Sequence, residues 1–143
     1  MVLSFSLTIP SPAKKIKEKI TDFKNLKNYM PLQIEDVLII DDENELKDMK
    51  LDGNQIVTEE IITSKAVLKA RIKQRCLQTI NDDSLVTKVI DGPAKGTIIK
   101  IALEQQDKQT LVSISIDPKL KIKYFFLKPL IGKEYKKIFT SIL

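Results

Sequence analysis

The first thirty residues predict one strand followed by two short helices. Apolar and polar side chains alternate strictly from Val2 to Ile9, a pattern typical of a strand with one buried face. A Pro-Ser-Pro sequence ends the alternation, and Ser11 is the expected N-cap of a helix over Ala13 to Thr21. A second helical piece is expected at Phe23 to Tyr29, because the residue before the next proline disfavours helical geometry.

From Ile34 onward the apolar residues alternate or form short continuous runs, which predicts a series of antiparallel strands joined by hairpins. The polar stretch from Glu43 to Asn54 fits either an extended hairpin arm or a loop, since it ends in an Asp-Gly-Asn turn. The six predicted strands are Asp36 to Asp41, Gln55 to Thr63, Ala66 to Thr79, Ser84 to Asp91, Thr97 to Gln105 and Gln109 to Asp117.

Two hairpin registers follow from the side-chain pattern, because a slip of one residue sends every side chain to the other face. A turn at Asp107-Lys108 places aliphatic residues together by pairing Leu103 with Val112, Ile101 with Ile114 and Ile99 with Ile116. A turn at Ser64-Lys65 pairs Ile61 with Leu68, Val57 with Ile72 and Glu59 with Ala70. The second register places Glu59 on the apolar side of the sheet.

The strand from Ala66 to Thr79 has two different faces. One face is mainly apolar and is expected to point inward, with Leu68, Ala70, Ile72, Gln74 and Cys76, whereas the other carries Lys69, Arg71, Lys73 and Arg75. The small alanines of the first face leave room that either an internal cavity or a closely packed helix would fill.

The C-terminal segment is predicted to be a long amphipathic helix. Apolar residues recur at spacings of three and four from Leu127 to Leu143, and lysines lie opposite them. Three adjacent aromatic residues, Tyr124 to Phe126, precede this helix, and they fit a gate, a membrane-touching element or ordinary helix-entry packing.

Length and composition indicate one domain over residues 1–143. The chain is 43% hydrophobic and 30% charged, as expected for a folded globular protein of this size. Cys76 is the single cysteine, and the N-terminus lacks the charged region of a signal peptide, so we expect a cytoplasmic protein without disulfides. No apolar run approaches the roughly 18 residues of a membrane-spanning helix.

The chain contains no histidine, which excludes the common histidine-dependent catalytic and metal sites. Acid–base chemistry would require a carboxylate, a lysine or a tyrosine with a shifted pKa. No motif implies a cofactor, and the segment from Asp91 to Gly96 lacks the spacing of a phosphate-binding loop and is interpreted as a turn.

Positive charge is concentrated at the C-terminus. Residues 118–143 hold seven lysines and one glutamate, while the rest of the chain has 17 basic and 18 acidic residues. This end fits either a solvated helix face or a surface for anionic membrane or a partner protein. The basic row from Lys69 to Arg75 lacks interleaved aromatic residues, so we expect a solvated sheet face and no nucleic-acid partner.

The order of strand, two short helices, six strands and long helix resembles the START-related (SRPBCC) superfamily of lipid-binding, polyketide-cyclase-like and coenzyme-Q-binding domains. The likeness is carried by Ser11-Pro12-Ala13 with Ile16, by Thr21-Asp22-Phe23 and Tyr29-Met30-Pro31, and by Asp91 to Gly96. The resemblance implies an α+β helix-grip fold, in which a seven-stranded curved antiparallel sheet wraps a long C-terminal helix and two short helices follow strand 1.

The resemblance also implies non-catalytic binding or transport of a small hydrophobic molecule, such as a lipid, an isoprenoid quinone or a polyketide, in an internal cavity. A cyclase- or hydratase-like enzyme with Glu59 or a tyrosine as acid–base group, and an interaction module with peripheral membrane contact, are the alternatives. The expected ligand-binding residues are Glu59, Leu68, Ala70, Ile72, Gln74, Cys76, Ile99, Ile101, Phe126, Ile131 and Tyr135.

Overall fold

A computed structural model describes residues 2–29, 34–64 and 68–119, without the side chains of 29, 63, 64 and 68–71. The predicted C-terminal helix, its lysines and the aromatic run before it lie outside these residues. The same holds for three of the predicted ligand-binding residues, Phe126, Ile131 and Tyr135.

The described chain forms a curved, seven-stranded antiparallel sheet with short helices, which confirms the α+β class. The order across the sheet is β1-β7-β6-β5-β4-β3-β2. Neighbouring strands are therefore consecutive in sequence, except that β1 pairs with β7. Their bounds are β1 Leu3–Ile9, β2 Ile34–Ile40, β3 Gln55–Ser64, β4 Leu68–Ile80, β5 Ser84–Asp91, β6 Ile98–Gln106 and β7 Gln109–Asp117.

Two short helices follow β1, as predicted. Helix α1 spans Ala13–Ile20, and a 3-10 turn at Phe23–Asn25 leads into α2 at Leu26–Tyr29. Ile16 and Ile20 recur four residues apart and are buried, so α1 turns this face toward the core.

The prediction that Ser11 is the N-cap of α1 is wrong. Pro12 occupies the N-cap position and provides no side-chain hydrogen bond. Instead the side chain of Gln105, at the end of β6, accepts the first helical N–H from Ala13 through Oε1 at 2.8 Å. A residue distant in sequence therefore performs the role expected of Ser11.

The polar stretch between β2 and β3 is a loop that contains one turn of helix, α3, at Glu43–Leu46. Asp42 caps this helix by accepting the backbone N–H of Asn44 at 2.9 Å. The sequence leaves two alternatives open for this segment, an extended hairpin arm and a loop, and the structure has the loop. No helix in the described ranges has the length and apolar character that crossing a membrane requires.

The β6–β7 hairpin has the predicted register. Leu103 pairs with Val112, Ile101 with Ile114 and Ile99 with Ile116 across a two-residue turn. Asp107 takes a positive φ of 58° in this turn. The six aliphatic side chains are buried together in the hydrophobic core.

The predicted register of the β3–β4 hairpin is wrong. Ile61 pairs with Lys73, five positions beyond the expected Leu68, and Glu59 pairs with Arg75. An offset by an odd number of residues exchanges the two faces of β3 relative to β4. Glu60, rather than Glu59, therefore shares a face with Gln74 and Cys76.

The segment Asp91 to Gly96 connects β5 to β6 as a tight turn, as predicted. The backbone N–H of Gly96 donates to the carbonyl of Val89, and the backbone N–H of Val89 donates to the carbonyl of Thr97. Gly92, at a φ of 112°, lies so close to β4 that a Cβ atom there would be 3.0 Å from the Cβ of Gln74.

Candidate functional site

The inner face of the sheet, on which the hydrophobic core packs, divides into two regions. The first, the aliphatic region, is formed by the inward side chains of β1, β6 and β7. The second, the polar cluster, lies on β3, β4 and β5 and consists of Thr58, Glu60, Gln74, Cys76, Gln78 and Thr87. The two regions adjoin directly, because Thr87 of the cluster pairs with Ile99 of β6.

Glu60, Gln74 and Cys76 form one hydrogen-bonded group in the cluster. The Nε2 atom of Gln74 donates to Oε2 of Glu60 at 3.0 Å and contacts Sγ of Cys76 at 3.6 Å. Glu60 and Gln74 are each only 8% exposed, and Cys76 is fully buried. Gly92 lies close to the backbone and Cβ of Gln74.

Burial determines the protonation of this group. Loss of water around Glu60 raises the pKa of its carboxyl, although the hydrogen bonds from Gln74 and Cys76 oppose the shift. Burial likewise raises the pKa of the Cys76 thiol, and the nearby charge of Glu60 adds to the effect. Cys76 is therefore a neutral thiol at physiological pH, which makes it a poor nucleophile and a weak hydrogen-bond donor.

Thr58, Gln78 and Thr87 form the second group and connect three neighbouring strands. Nε2 of Gln78 donates to Oγ1 of Thr58 at 3.1 Å, and the hydroxyl of Thr87 donates to Oε1 of Gln78. Gln78 is 1% exposed. Both ends of its amide are therefore fixed, as a buried amide requires.

Glu60 is the only charged residue among the described side chains on the inner face of the sheet. Among the described side chains, no lysine or arginine forms an ion pair with Glu60. The ranges that the structure describes also contain no group of three or more acidic or cysteine side chains arranged to hold a metal ion. The arrangement thus offers a lone carboxyl and amide groups for hydrogen bonding.

Glu59, expected among these groups, lies on the opposite face of β3. Its carboxylate pairs with Nζ of Lys73 at 2.7 Å and with the guanidinium of Arg75 at 3.5 Å. Arg75 also contacts Glu45 of α3 at 3.3 Å, so acidic partners neutralise this end of the basic row. The expectation that Glu59 points inward is wrong, and the enzyme alternative loses the carboxylate on which it relied.

The other described site residues lie on the inner face as predicted: Ile72, Gln74 and Cys76 on β4, and Ile99 and Ile101 on β6. Leu68 and Ala70 belong to β4, but their side chains are not among those that the structure describes. The sequence prediction missed Thr58, Glu60, Gln78 and Thr87. The correct β3–β4 register would have identified the first two, because Thr58 pairs with Cys76 and Glu60 with Gln74.

The outer face carries a shallow depression of about 370 Å³ over β1, β7 and β6. Its floor consists mainly of short side chains, together with Lys100: Ser4, Ser6, Ala102, Ser113 and Ser115. This depression is separate from the predicted internal cavity, which remains a prediction.

No protein-family model matches the chain, and no curated protein matches it in sequence. Solved structures do match. A START superfamily protein from Mycobacterium smegmatis has a TM-score of 0.77 and 13% identity, covering 99% of this chain and 93% of that one. The major latex-like protein 151 of Panax ginseng has a TM-score of 0.67 and 15% identity, covering 100% and 98%.

The Zhui aromatase/cyclase from a Streptomyces species is also similar, with a TM-score of 0.64 and 10% identity, covering 85% of this chain and 70% of that one. These similarities, together with the strand order, establish that the chain has the START-like helix-grip fold. At such identities the likeness concerns the fold alone.

Proposed function

We propose that the protein binds a small hydrophobic molecule, without transforming it, against the inner face of its sheet. The fold supports this proposal, since it is shared with a START superfamily protein. The aliphatic region provides the apolar wall that such a ligand requires. A lipid, an isoprenoid quinone or a polyketide-like molecule meets this description.

The buried polar cluster is the observation that carries the proposal. Ligand sites are typically apolar surfaces with a few polar groups that orient the bound molecule. Glu60, Gln74 and Gln78 are nearly inaccessible to solvent, yet they lie on a face that is otherwise mainly aliphatic. A hydrophobic core with no ligand to recognise has no need of a carboxyl group, which is costly to bury.

Native mass spectrometry of protein purified from its own host tests the proposal. We expect a population heavier than the 16.3 kDa chain by the mass of one small molecule. Denaturation should release that molecule into an organic extract, which distinguishes a non-covalent ligand from a covalent modification. Protein that is uniformly empty, and that also fails to bind added apolar probes, would contradict the proposal.

A cyclase-like enzyme is the second candidate, favoured by the raised pKa of Glu60 on the inner face and by the similarity to an aromatase/cyclase. A carboxyl group that stays protonated nearer to neutral pH is suited to general-acid catalysis. Incubating the extracted molecule with fresh protein discriminates the two functions. An unchanged mass supports binding alone, whereas loss of water that requires Glu60 would support the enzyme.

A further inference from the structure

The charge of the inner face limits the kind of ligand that it can accept. Glu60 is the one charged group among the described inner-facing side chains, and it is negative or neutral but never positive. The remaining polar groups of the cluster are two amides, two hydroxyls and a thiol. No cation on the described part of this face is available to an anionic head group.

An anionic head group would be disfavoured at this cluster whatever the protonation state of Glu60. If Glu60 is ionised, two negative charges share one buried site and repel each other. If Glu60 is protonated, the incoming anion is still buried without a cation among the described inner-facing side chains, which costs several kcal/mol. Fatty acids and similar carboxylates should therefore bind poorly here.

A hydroxyl head group, in contrast, can be accommodated at the cluster by a hydrogen bond to Glu60. An ionised carboxylate has about four lone-pair sites, and the protonated acid keeps part of this acceptor capacity. The contacts from Gln74 and Cys76 leave part of this acceptor capacity of Glu60 unused. Strand β6, which pairs with β5 of the cluster, and β7 beyond it provide an aliphatic wall for the rest of the molecule, beginning at Ile99 beside Thr87. Polar and apolar surfaces thus adjoin, as an uncharged amphiphile requires.

We propose that the ligand is an uncharged amphiphile whose hydroxyl group donates a hydrogen bond to Glu60, with its hydrocarbon part along β6 and β7. This inference rests on the proposed function and specifies its ligand class. Glu60 acts here as the residue that selects against anionic ligands.

Competition between 1-decanol and decanoate for the neutral fluorescent probe N-phenylnaphthylamine tests the inference, because the two compounds share a chain length and differ in head-group charge. The wild-type protein should bind decanol about tenfold more tightly, which corresponds to about 1.4 kcal/mol. In Glu60→Gln the repulsion is removed, so decanoate should bind more tightly and the preference should shrink.

Glu59→Gln is the matched control, because it removes the adjacent carboxylate from the outer face of the same strand. It should leave the preference for decanol unchanged. Wild-type protein that binds decanoate as tightly as decanol would overturn the inference while leaving the proposed function standing. An equal change of preference in both variants would also overturn it. Failure of the probe and of both amphiphiles to bind would contradict the proposed function itself.

Discussion

Glu59 and Glu60 are adjacent in sequence, yet their carboxylates lie on opposite faces of β3. Both are 8% exposed, but Glu59 has two basic partners, whereas Glu60 is hydrogen-bonded only to neutral groups among the described side chains. Burial with a cation stabilises an ionised carboxylate, and burial without one favours the neutral form. The two residues should therefore respond in opposite ways to neutralisation.

Replacement of Glu60 by glutamine should stabilise the protein at neutral pH. The raised pKa means that the folded state binds the proton more tightly than the unfolded state, so this contribution to stability is present below the ordinary value of 4.5 and is lost as the pH rises. The variant keeps an acceptor for Gln74 and should gain roughly 1–3 kcal/mol in the free energy of unfolding at neutral pH. Urea unfolding at a series of pH values measures this difference.

The gain should shrink on acidification and disappear below pH 4.5, since the raised pKa of Glu60 favours its neutral form in the folded wild-type protein there. Glu59→Gln is the control, and it should not stabilise the protein, because it removes the ion pairs to Lys73 and Arg75. A loss of stability in Glu60→Gln at neutral pH would show that the cluster requires the ionised carboxylate.

Position 92 requires glycine, both because its backbone φ is positive and because neighbouring atoms leave no room for a Cβ atom. A residue with a side chain would be strained at its φ of 112°, and its Cβ would lie 3.0 Å from both the Cβ of Gln74 and the carbonyl oxygen of Lys73. Gly92→Ala should therefore lower the free energy of unfolding by about 1–3 kcal/mol. Gly53→Ala, where no atom lies within 4 Å of the added Cβ, should change it by no more than about 0.5 kcal/mol. Equal urea midpoints for the two variants would contradict this account.

At the scale of elements, α1 is attached to the β6–β7 hairpin through Gln105. Its side chain accepts the N–H of Ala13 and donates to the carbonyls of Asp107 and Gln109 at 2.7 and 3.0 Å. The hydroxyl of Thr110 donates to the carbonyl of Ser11 at 2.7 Å and strengthens the same junction. The helix start is thus positioned by the hairpin turn rather than by its own sequence.

Gln105→Ala should lower the free energy of unfolding by about 0.5–1.5 kcal/mol, the usual contribution of an intramolecular hydrogen bond. Gln106→Ala is the matched control, since Gln106 is the next residue and is also exposed but makes none of these contacts with α1. The control should change stability by less than about 0.5 kcal/mol. Thermal unfolding followed by circular dichroism compares the two variants, and equal effects would argue against the attachment.

The strands and short helices were predictable from the sequence, but one register was not. In β6 and β7 the aliphatic residues alternate strictly on both sides of a two-residue turn, so only one register buries them all. In β3 both faces carry buried or partly buried aliphatic residues, including Val57 on the outer face and Ile56 on the inner face. Hydrophobic pattern alone therefore did not distinguish Glu59 from Glu60.

The polar cluster was predictable only in part for the same reason. The charged row on β4 alternates with uncharged residues, which correctly placed Gln74 and Cys76 on the inner face. Their partners come from the neighbouring strands, and these depend on register and on tertiary pairing. The attachment of α1 to Gln105 has no local sequence signal, because about ninety residues separate the two ends of the hydrogen bond.

At the scale of the whole molecule, backbone pairing and hydrophobic packing are strongest in different parts of the sheet. β3 and β4, of 10 and 13 residues, are longer than β6 and β7, of 9 residues each. The aliphatic core nevertheless packs mainly on β6 and β7, while the polar cluster occupies β3 to β5. If burial of apolar side chains determines local stability, the shorter hairpin is the more stable one.

Hydrogen exchange of the backbone amides distinguishes these two contributions. We expect amides of β6 and β7 to exchange most slowly and amides of β3 and β4 to exchange faster, despite the longer hairpin. Binding of decanol should slow exchange chiefly in β3 and β4, because a ligand at Glu60 stabilises the part of the sheet that has less aliphatic packing than β6 and β7. Slowest exchange in β3 and β4 without ligand would mean that backbone pairing dominates. The polar cluster would then lie in the rigid part of the protein, and binding there would leave exchange in these strands nearly unchanged.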